Sequence, residues 1–375
     1  VSEYHGTHEN LHSEQGAIRG DRPHRAKNPV IKVYDLAWLE FEKPDLRAAE
    51  RFARDFGFAT AARADDTLYL RGAMAGTQCV VIREGPRSRF VGPAFQAVDH
   101  ADVHRLASAN NASAYELTGR GGGIGVDLVD PSGVPLRVVA GVQTLPELPR
   151  QRAHVFNFGG TSQRVNAMQR PPREPARIER LGHVVLESAS FTKALDWYLQ
   201  NLGLIVSDFL YFPGQRERGP AMAFIRCDRG ATPADHHTLA MTLGPARRYV
   251  HSAYQVADLD AVAAGAEYLK QRRYHHAWGI GRHIEGSQIF DYWRDPDGFM
   301  VEHFADGDLF DNTVEPGWAQ LSASHLNQWG PPATRDFLDA KPSAHLIRHM
   351  LSALVDRNNE FDVRRLYGLL KAGTS

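Results

Sequence analysis

One pattern occurs twice in the chain, and it limits the available folds more than any other feature. DPSGVPLR (130–137) and DPDGFMVE (295–302) share an Asp-Pro-x-Gly turn that leads into an apolar strand. Each copy closes the same programme of elements. In the first half, VYDLAWLEF (33–41) alternates apolar and polar residues in the strand manner, and DLRAAERFARDFGF (45–58) is an amphipathic helix stopped at Gly57. DTLYLRG and TQCVVIREG are short strands bounded by glycine. FVGPAFQAVDHADVHRLASANNA repeats the strand-then-helix order, with strands again to about residue 140. PELPRQRA marks a linker near 145–153. The second half runs RLGHVVLES (180–188), helix FTKALDWYLQNLG (191–203), strands MAFIRCD and HTLAMTLG, then strand YVHSAYQV (249–256) and helix DLDAVAAGAEYLKQR (258–272). SQIFDYWRD and FMVEHFAD are strands joined by the DPDG turn, where Asp bonds its own backbone. The expectation is an α+β chain of four β-α-β-β-type units in two pairs.

Aligning the halves separates scaffold from chemistry. LAWLEF (36–41) laid on LGHVVL (181–186) sets Trp38 opposite His183. Phe95 matched to Tyr254 sets Gly92 opposite His251, and the turn motif sets Arg137 opposite Glu302. Only the second half carries His, His and Glu at these places. A single strand histidine is most often a satisfied structural residue. Three such residues, each replacing a non-ligand in the sister copy, point to a metal site. Two imidazoles and a carboxylate on one side of an ion leave positions open on the other, a donor set that suits Fe(II), with Mn(II) possible.

Composition narrows the function classes. A formal net charge of −1 over 375 residues offers no basic excess for nucleic acid, and no apolar run reaches the ~20 residues of a membrane span. The first 29 residues are polar, read as a flexible arm without a signal-peptide core, and the two cysteines have no metal-like spacing. A cytoplasmic protein is expected. The Gly-rich GRGGGIG (119–125) leads into a strand rather than a helix, so it is read as a loop and not a dinucleotide site. No organic cofactor is expected.

On LGHVVLES, DHHTLAMTLGP with VHSAYQV, and GRHIEGSQIFDYWRDPDGFMVE, the second half resembles the type I extradiol catechol dioxygenases of the vicinal oxygen chelate superfamily. The likeness covers roughly residues 30–305 and is strongest over 180–304. It implies four βαβββ modules paired into two barrel-like domains: a non-metal-binding one at 30–145 and a catalytic one at 154–305. An extended and helical C-terminal tail would follow at 306–375. It implies His183, His251 and Glu302 as metal ligands, His237 as the acid–base histidine beside the O₂ site, and His283 and Tyr292 as the pair that holds a catechol oxygen. The implied reaction opens a catechol ring beside the diol with O₂ at a non-haem Fe(II), giving a semialdehyde or keto-acid in aromatic degradation. The likeness also implies a homo-oligomer. Glyoxalase-like and fosfomycin-resistance-like members of the same fold, and a metal-free binding protein, are the competing readings.

The remaining candidates have plainer expected roles. His236 is expected to be the strand neighbour of His237, facing away. His275, His276 and His303 are expected at the surface or in packing, Glu285 as a solvated loop acid, and Asp295 and Asp297 as turn residues. Asp291 stands where the family carries an apolar residue; on a strand it should point away from Tyr292 and alter packing only. Trp278, Trp293, Phe304, Trp318 and Trp329 make an aromatic substrate plausible. The tail helices carry an apolar spacing suited to docking on the body or on a partner subunit.

Overall fold

The computed structural model describes residues 22–118, 121–338, 344–356 and 359–374. Four modules of one strand, one helix and three main strands run in order, the third with a short extra strand. The first is β1 (Val33–Lys43), α1 (Leu46–Phe56), β2 (Ala59–Arg63), β3 (Thr67–Arg71) and β4 (Val80–Glu84). The second is β5 (Arg89–Ala97), α2 (His100–Ala109), β6 (Tyr115–Glu116), β7 (Ile124–Val129) and β8 (Pro135–Ala140). The third is β9 (Arg180–Ser188), α3 (Phe191–Leu202), β10 (Leu204–Tyr211), β11 (Met222–Cys227), the short β12 (Ala234–Asp235) and β13 (Leu239–Leu243). The fourth is β14 (Arg248–Gln255), α4 (Leu259–Gln271), β15 (His275–His283), β16 (Ile289–Arg294) and β17 (Met300–Ala305). The tail adds β18 (Leu309–Phe310), β19 (Gly317–Gln320), β20 (Asn327–Trp329), α5 (Ala344–Val355) and α6 (Val363–Thr374).

Two barrel-like sheets result. The first runs β2-β3-β4-β1-β5-β8-β7-β6 and the second β19-β10-β11-β13-β9-β14-β17-β16-β15-β20. The centre of each is the antiparallel pair of first strands, β1 with β5 and β9 with β14. The register gives the same equivalences as the sequence alignment. Ala94 faces Trp38 on one side and Arg137 on the other; Ala253 faces His183 and Glu302. Gly92 and His251 each lie two residues earlier on the strand, so each shares a face with that alanine.

Local sequence explains the elements. The Asp45 side chain accepts from the Ala48 amide at 2.9 Å and caps α1. Gly57 ends α1 in the left-handed region, φ +109, and a Cβ there would lie 1.7 Å from the Ala176 carbonyl oxygen. The two Asp-Pro-x-Gly turns are built alike. Asp130 accepts from the amides of Ser132 and Val134, and Asp295 from those of Asp297 and Phe299.

The second turn also joins the halves. Buried Lys43, on β1, pairs with Asp295 and lies 3.2 Å from Asp297, which accepts from Ser88 at 2.5 Å. His303 belongs to the same junction. It is buried, stacks on Phe56 with centroids 3.8 Å apart, and donates to the Phe56 carbonyl at 2.7 Å. That is the packing role expected of it.

In the first half, the place of the missing ligands is filled by charge. Arg137 donates to Glu40 at 2.6 Å and to Asp127 at 2.7 Å, and Trp38 donates to the same Glu40 oxygen at 2.9 Å.

One expectation falls partly outside the described residues, and the structure adds detail to two. Residues 1–21 of the expected arm, with Gly119 and Arg120 of the Gly-rich loop, lie outside the described residues. Residues 22–29, expected to be flexible, dock on the second half: Val206 donates to the His24 carbonyl at 2.9 Å, and Arg25 to the Asn312 carbonyl at 2.6 Å. The tail is not only extended and helical. β19 pairs with β10 at one edge of the second sheet, and β20 with β15 at the other, because unsatisfied edge strands recruit extended chain.

Candidate active site

The site sits on the concave face of three adjacent strands, β9, β14 and β17. His183, Glu302 and His251 project beside Ala253, whose small side chain leaves space among them. His183 Nε2 and His251 Nε2 are 3.4 Å apart, and Glu302 Oε2 lies 3.4 and 3.3 Å from them. The group is buried, with Glu302 at 0% exposure. Three donor atoms converge on one point with edges close to the ~3 Å that bonds of about 2.1 Å at right angles would give. Both Glu302 oxygens and the Nδ1 atoms of both histidines are buried without a hydrogen-bond partner among the described residues. A buried carboxylate needs a cation or donors to offset lost hydration, and a metal ion at the triangle would supply that. Burial pushes the Glu302 carboxyl up, but the His183 and His251 imidazoles against it prevail and hold it well below the usual range. Burial lowers His251. The residues present therefore fit a divalent metal bound through imidazole and carboxylate.

His283 and Tyr292 flank this triangle. Tyr292 on β16 lies opposite Glu302 in register, which sets its ring 5.1 Å from that of His251. His283 Nδ1 is 2.7 Å from the Leu326 carbonyl, which can only accept, so Nδ1 carries the proton. Nε2 then accepts from the Tyr292 hydroxyl at 2.9 Å. Burial pushes His283 down to about 4 and, with Glu302 nearby, pushes the Tyr292 phenol well above its ordinary value. A neutral imidazole and a neutral phenol thus face the metal triangle.

His237 packs against His183, its ring centroid 4.0 Å from that of His183 and 4.9 Å from that of Phe224. Burial, then the neighbouring imidazoles, lower it well below 6.5. Here sequence reasoning misjudged its neighbour. His236 does not face away on a strand. The His236–His237 pair lies in the bend between β12 and β13, where strand alternation does not apply, and the two Nδ1 atoms are 3.0 Å apart.

Other expectations sort as follows. Asp291 points away from Tyr292 and is fully buried, accepting from Trp293 Nε1 at 2.5 Å and lying 2.7 Å from His276 Nε2. Burial raises its carboxyl against those partners. The altered packing is therefore a polar trio, and His276 belongs to it. His275 is exposed beside Asp336. Glu285 is not freely solvated; it is half-buried, and burial, then Asp208, raise it to about 7. Of the five aromatics, Trp278 stacks 5.6 Å from Tyr292, and Phe304 lies 5.8 Å from His183. Trp293 faces the opposite side with Asp291, Trp318 is buried against Phe209, and Trp329 is 45% exposed, so these three do not line the site.

The tail packs on the site's aromatic wall through residues 331–337. Trp278 Nε1 donates to the Pro331 carbonyl at 2.8 Å, and Phe337 packs 4.4 Å from Trp278 and 4.8 Å from Tyr292.

Residues 180–303 match the family model described as the Glyoxalase/Bleomycin resistance protein/Dioxygenase superfamily. Metapyrocatechase 2 of Cupriavidus necator is 31% identical over 328 residues, covering 85% of this chain and 97% of that protein. An iron-dependent extradiol dioxygenase of Rhodococcus jostii (strain RHA1) is 27% identical over 154 residues, 40% of this chain and 50% of that protein. Among solved structures, the Mn(II)-bound glyoxalase from Novosphingobium aromaticivorans aligns over 89% of this chain and 99% of its own with TM-score 0.68; at 21% identity it shows the shared fold alone. Fold, duplicated modules and full-length likeness agree: the chain belongs to the extradiol dioxygenases of the vicinal oxygen chelate superfamily.

Proposed function

We propose that this dioxygenase opens the ring of a catechol beside its diol, using O₂ and a single Fe(II) held by His183, His251 and Glu302. The product would be an open-chain semialdehyde or keto-acid, formed in the degradation of aromatic compounds. One observation supports this reading above others: the metal-fitting triangle is flanked by a buried imidazole, His237, against His183 and by the hydrogen-bonded His283–Tyr292 pair against His251. When bound, iron(II) would orient both reactants and carry electron density between them; Mn(II) fits the same donors. The chain's own residues would do the rest. Tyr292 would donate to the ionised catechol oxygen by re-aiming the hydroxyl proton it now gives to His283, and the bare Nε2 of His283 would accept from a catechol hydroxyl. Trp278 and Phe304 would confine the ring, and Phe337 would close it off from water. His237 would take the proton released as the catechol binds and return it to the cleaving oxygen, the task of a general acid–base. Residues 154–305 would form the catalytic domain and 30–145 the scaffold domain.

The rival is a glyoxalase-like reaction, which needs the metal triangle but neither O₂ nor the His237, His283 and Tyr292 set. The free, buried cysteines Cys79 and Cys227 suit a reducing cytoplasm, and a homo-oligomer is the assembly proposed. The test is anaerobic loading of the protein with Fe(II), then O₂ uptake and coloured-product formation against a panel of single-ring, alkyl-substituted and biphenyl-type catechols. O₂ uptake matched by ring-opened product supports the reading; neither signal with any catechol refutes it.

A further inference from the structure

The buried partners of His237 extend the site by two residues that the repeat comparison does not reach. Asp208 stands on β10 next to a register shift between Val206 and Asp208. At that shift, adjacent residues both turn to His236. Ser207 Oγ donates to the His236 carbonyl at 2.6 Å and itself accepts from Arg226 at 2.9 Å. Asp208 Oδ2 lies 2.6 Å from His236 Nε2. The far edge of the His236 ring then meets His237, Nδ1 to Nδ1 at 3.0 Å. The Phe224 and Phe310 rings flank His236, each 5.4 Å from it, and Gly286 closes the remaining side, where a Cβ would come within 3.0 Å of Nδ1. His236 is 1% exposed and His237 3%.

We propose that Asp208 and His236 are positioning residues that hold His237 in one tautomer, with the proton on Nδ1 and the lone pair on Nε2. The chain of donors leaves a single consistent assignment for neutral rings. A carboxylate accepts, so His236 carries its proton on Nε2 toward Asp208. His236 Nδ1 then holds a lone pair and can only accept, so the proton between the rings belongs to His237 Nδ1. Nε2 of His237 is left bare, which is the form a general base requires. The same order of acid, orienting group and base recurs wherever a histidine must act from one defined nitrogen. Here the orienting group is a second imidazole. The inference rests on the acid–base role proposed for His237, but the tautomer itself does not.

The test uses the full-length, metal-free protein with ¹⁵N-labelled histidine, and reads each ring's tautomer from two-bond ¹⁵N–¹H correlations. His237→Gln assigns the signal. The expected wild-type pattern is a protonated Nδ1 and a bare Nε2 at His237. Asp208→Asn and His236→Leu should convert His237 to the Nε2-protonated form or to a mixture. In the iron-loaded protein they should lower kcat by about 100-fold, with KM within about 3-fold and metal content unchanged. Asp208→Glu, which keeps the accepting carboxylate, should restore the wild-type tautomer. Should Asp208→Asn fail to fold, His236→Gln reads the same loss, because its amide no longer carries Asp208's preference. A bare Nδ1 in the wild type, or an unmoved tautomer in every folded variant, overturns the inference. Wild-type protein that shows the expected tautomer yet consumes no O₂ with any catechol refutes the proposed reaction and leaves the positioning intact.

Discussion

Replacing Glu302 by Gln tests the metal centre without emptying space. The side chain keeps its length and one oxygen, but loses the charge that faces His183 Nε2 and His251 Nε2 at 3.4 and 3.3 Å. A ligand that binds only the folded state raises stability by RT ln(1 + [L]/Kd), about 2.7 kcal/mol at 100 times Kd. At about 2.1 cal/mol/K per residue, a chain of this size moves its melting midpoint by only roughly 1 °C for each kcal/mol, so saturating Fe(II) or Mn(II) should raise the wild-type midpoint by about 3–4 °C. Loss of even an outer partner of a metal ligand costs about 10–100-fold in affinity, and loss of the charged ligand itself at least the upper figure. At the same metal concentration the variant is then near its own Kd, where the gain is about 0.4 kcal/mol, or roughly 0.5 °C. Scanning calorimetry under anaerobic conditions, with metal content read on the same samples, measures both. A variant whose midpoint rises with metal as far as the wild type's would refute the reasoning.

Tyr292→Phe keeps the ring against Trp278 and Phe337 but leaves His283 Nε2 without its donor. Denaturant unfolding of the metal-free protein should show a loss of about 1–3 kcal/mol, and kcat/KM for a catechol should fall at least tenfold; no change in either would contradict the assigned contact. Lys43→Met removes the cation between Asp295 and Asp297, both well covered. Because each carboxylate then stays buried without its partner, a stability loss of about 3–5 kcal/mol is expected by the same unfolding measurement. Glu285, raised to about 7 from 4.5 by burial, holds its proton more tightly when folded. Between pH 4.5 and 7 the folded state binds more proton than the unfolded one, so stability falls as pH rises through that window and levels off above it. Glu285→Gln should flatten this limb in urea midpoints taken against pH; an unchanged limb would assign it to other groups.

What could be read from the chain follows from which signals are local. The alternation in VYDLAWLEF and RLGHVVLES, the glycine stops at Gly57 and Gly203, and the repeated turn gave β1, β9, α1, α3 and the pairing of modules, since each signal lies within a few residues. Several strands escaped. β2 reads ATAAR, with no large apolar side to mark it. β10 follows Gly203 directly, so no turn sets it apart from α3. β15 carries two glycines within HHAWGIGRH. The grouping of His183, His251 and Glu302 was legible because these residues stand at matching places in two copies. The Asp208–His236 contact was not, because 28 positions separate the partners and only the fold brings them together. The tail strands escaped for the same reason, since their partners are edges that exist only once the sheets form.

The Arg137–Glu40–Asp127 cluster bears on how the first half could ever change. Its guanidinium occupies the register position that holds Glu302 in the second half, and two carboxylates now depend on it. Restoring a carboxylate there through Arg137→Glu would gather three acids around a site lacking both histidines, so no cation would be held to balance them. A metal centre there would also need changes at Trp38 and Gly92. Each intermediate would be less stable than the present form. The charged cluster thereby sets a barrier: single changes at this position leave acids unbalanced, so mutational drift can reshape the surface of the first half far more readily than it can build a metal centre there.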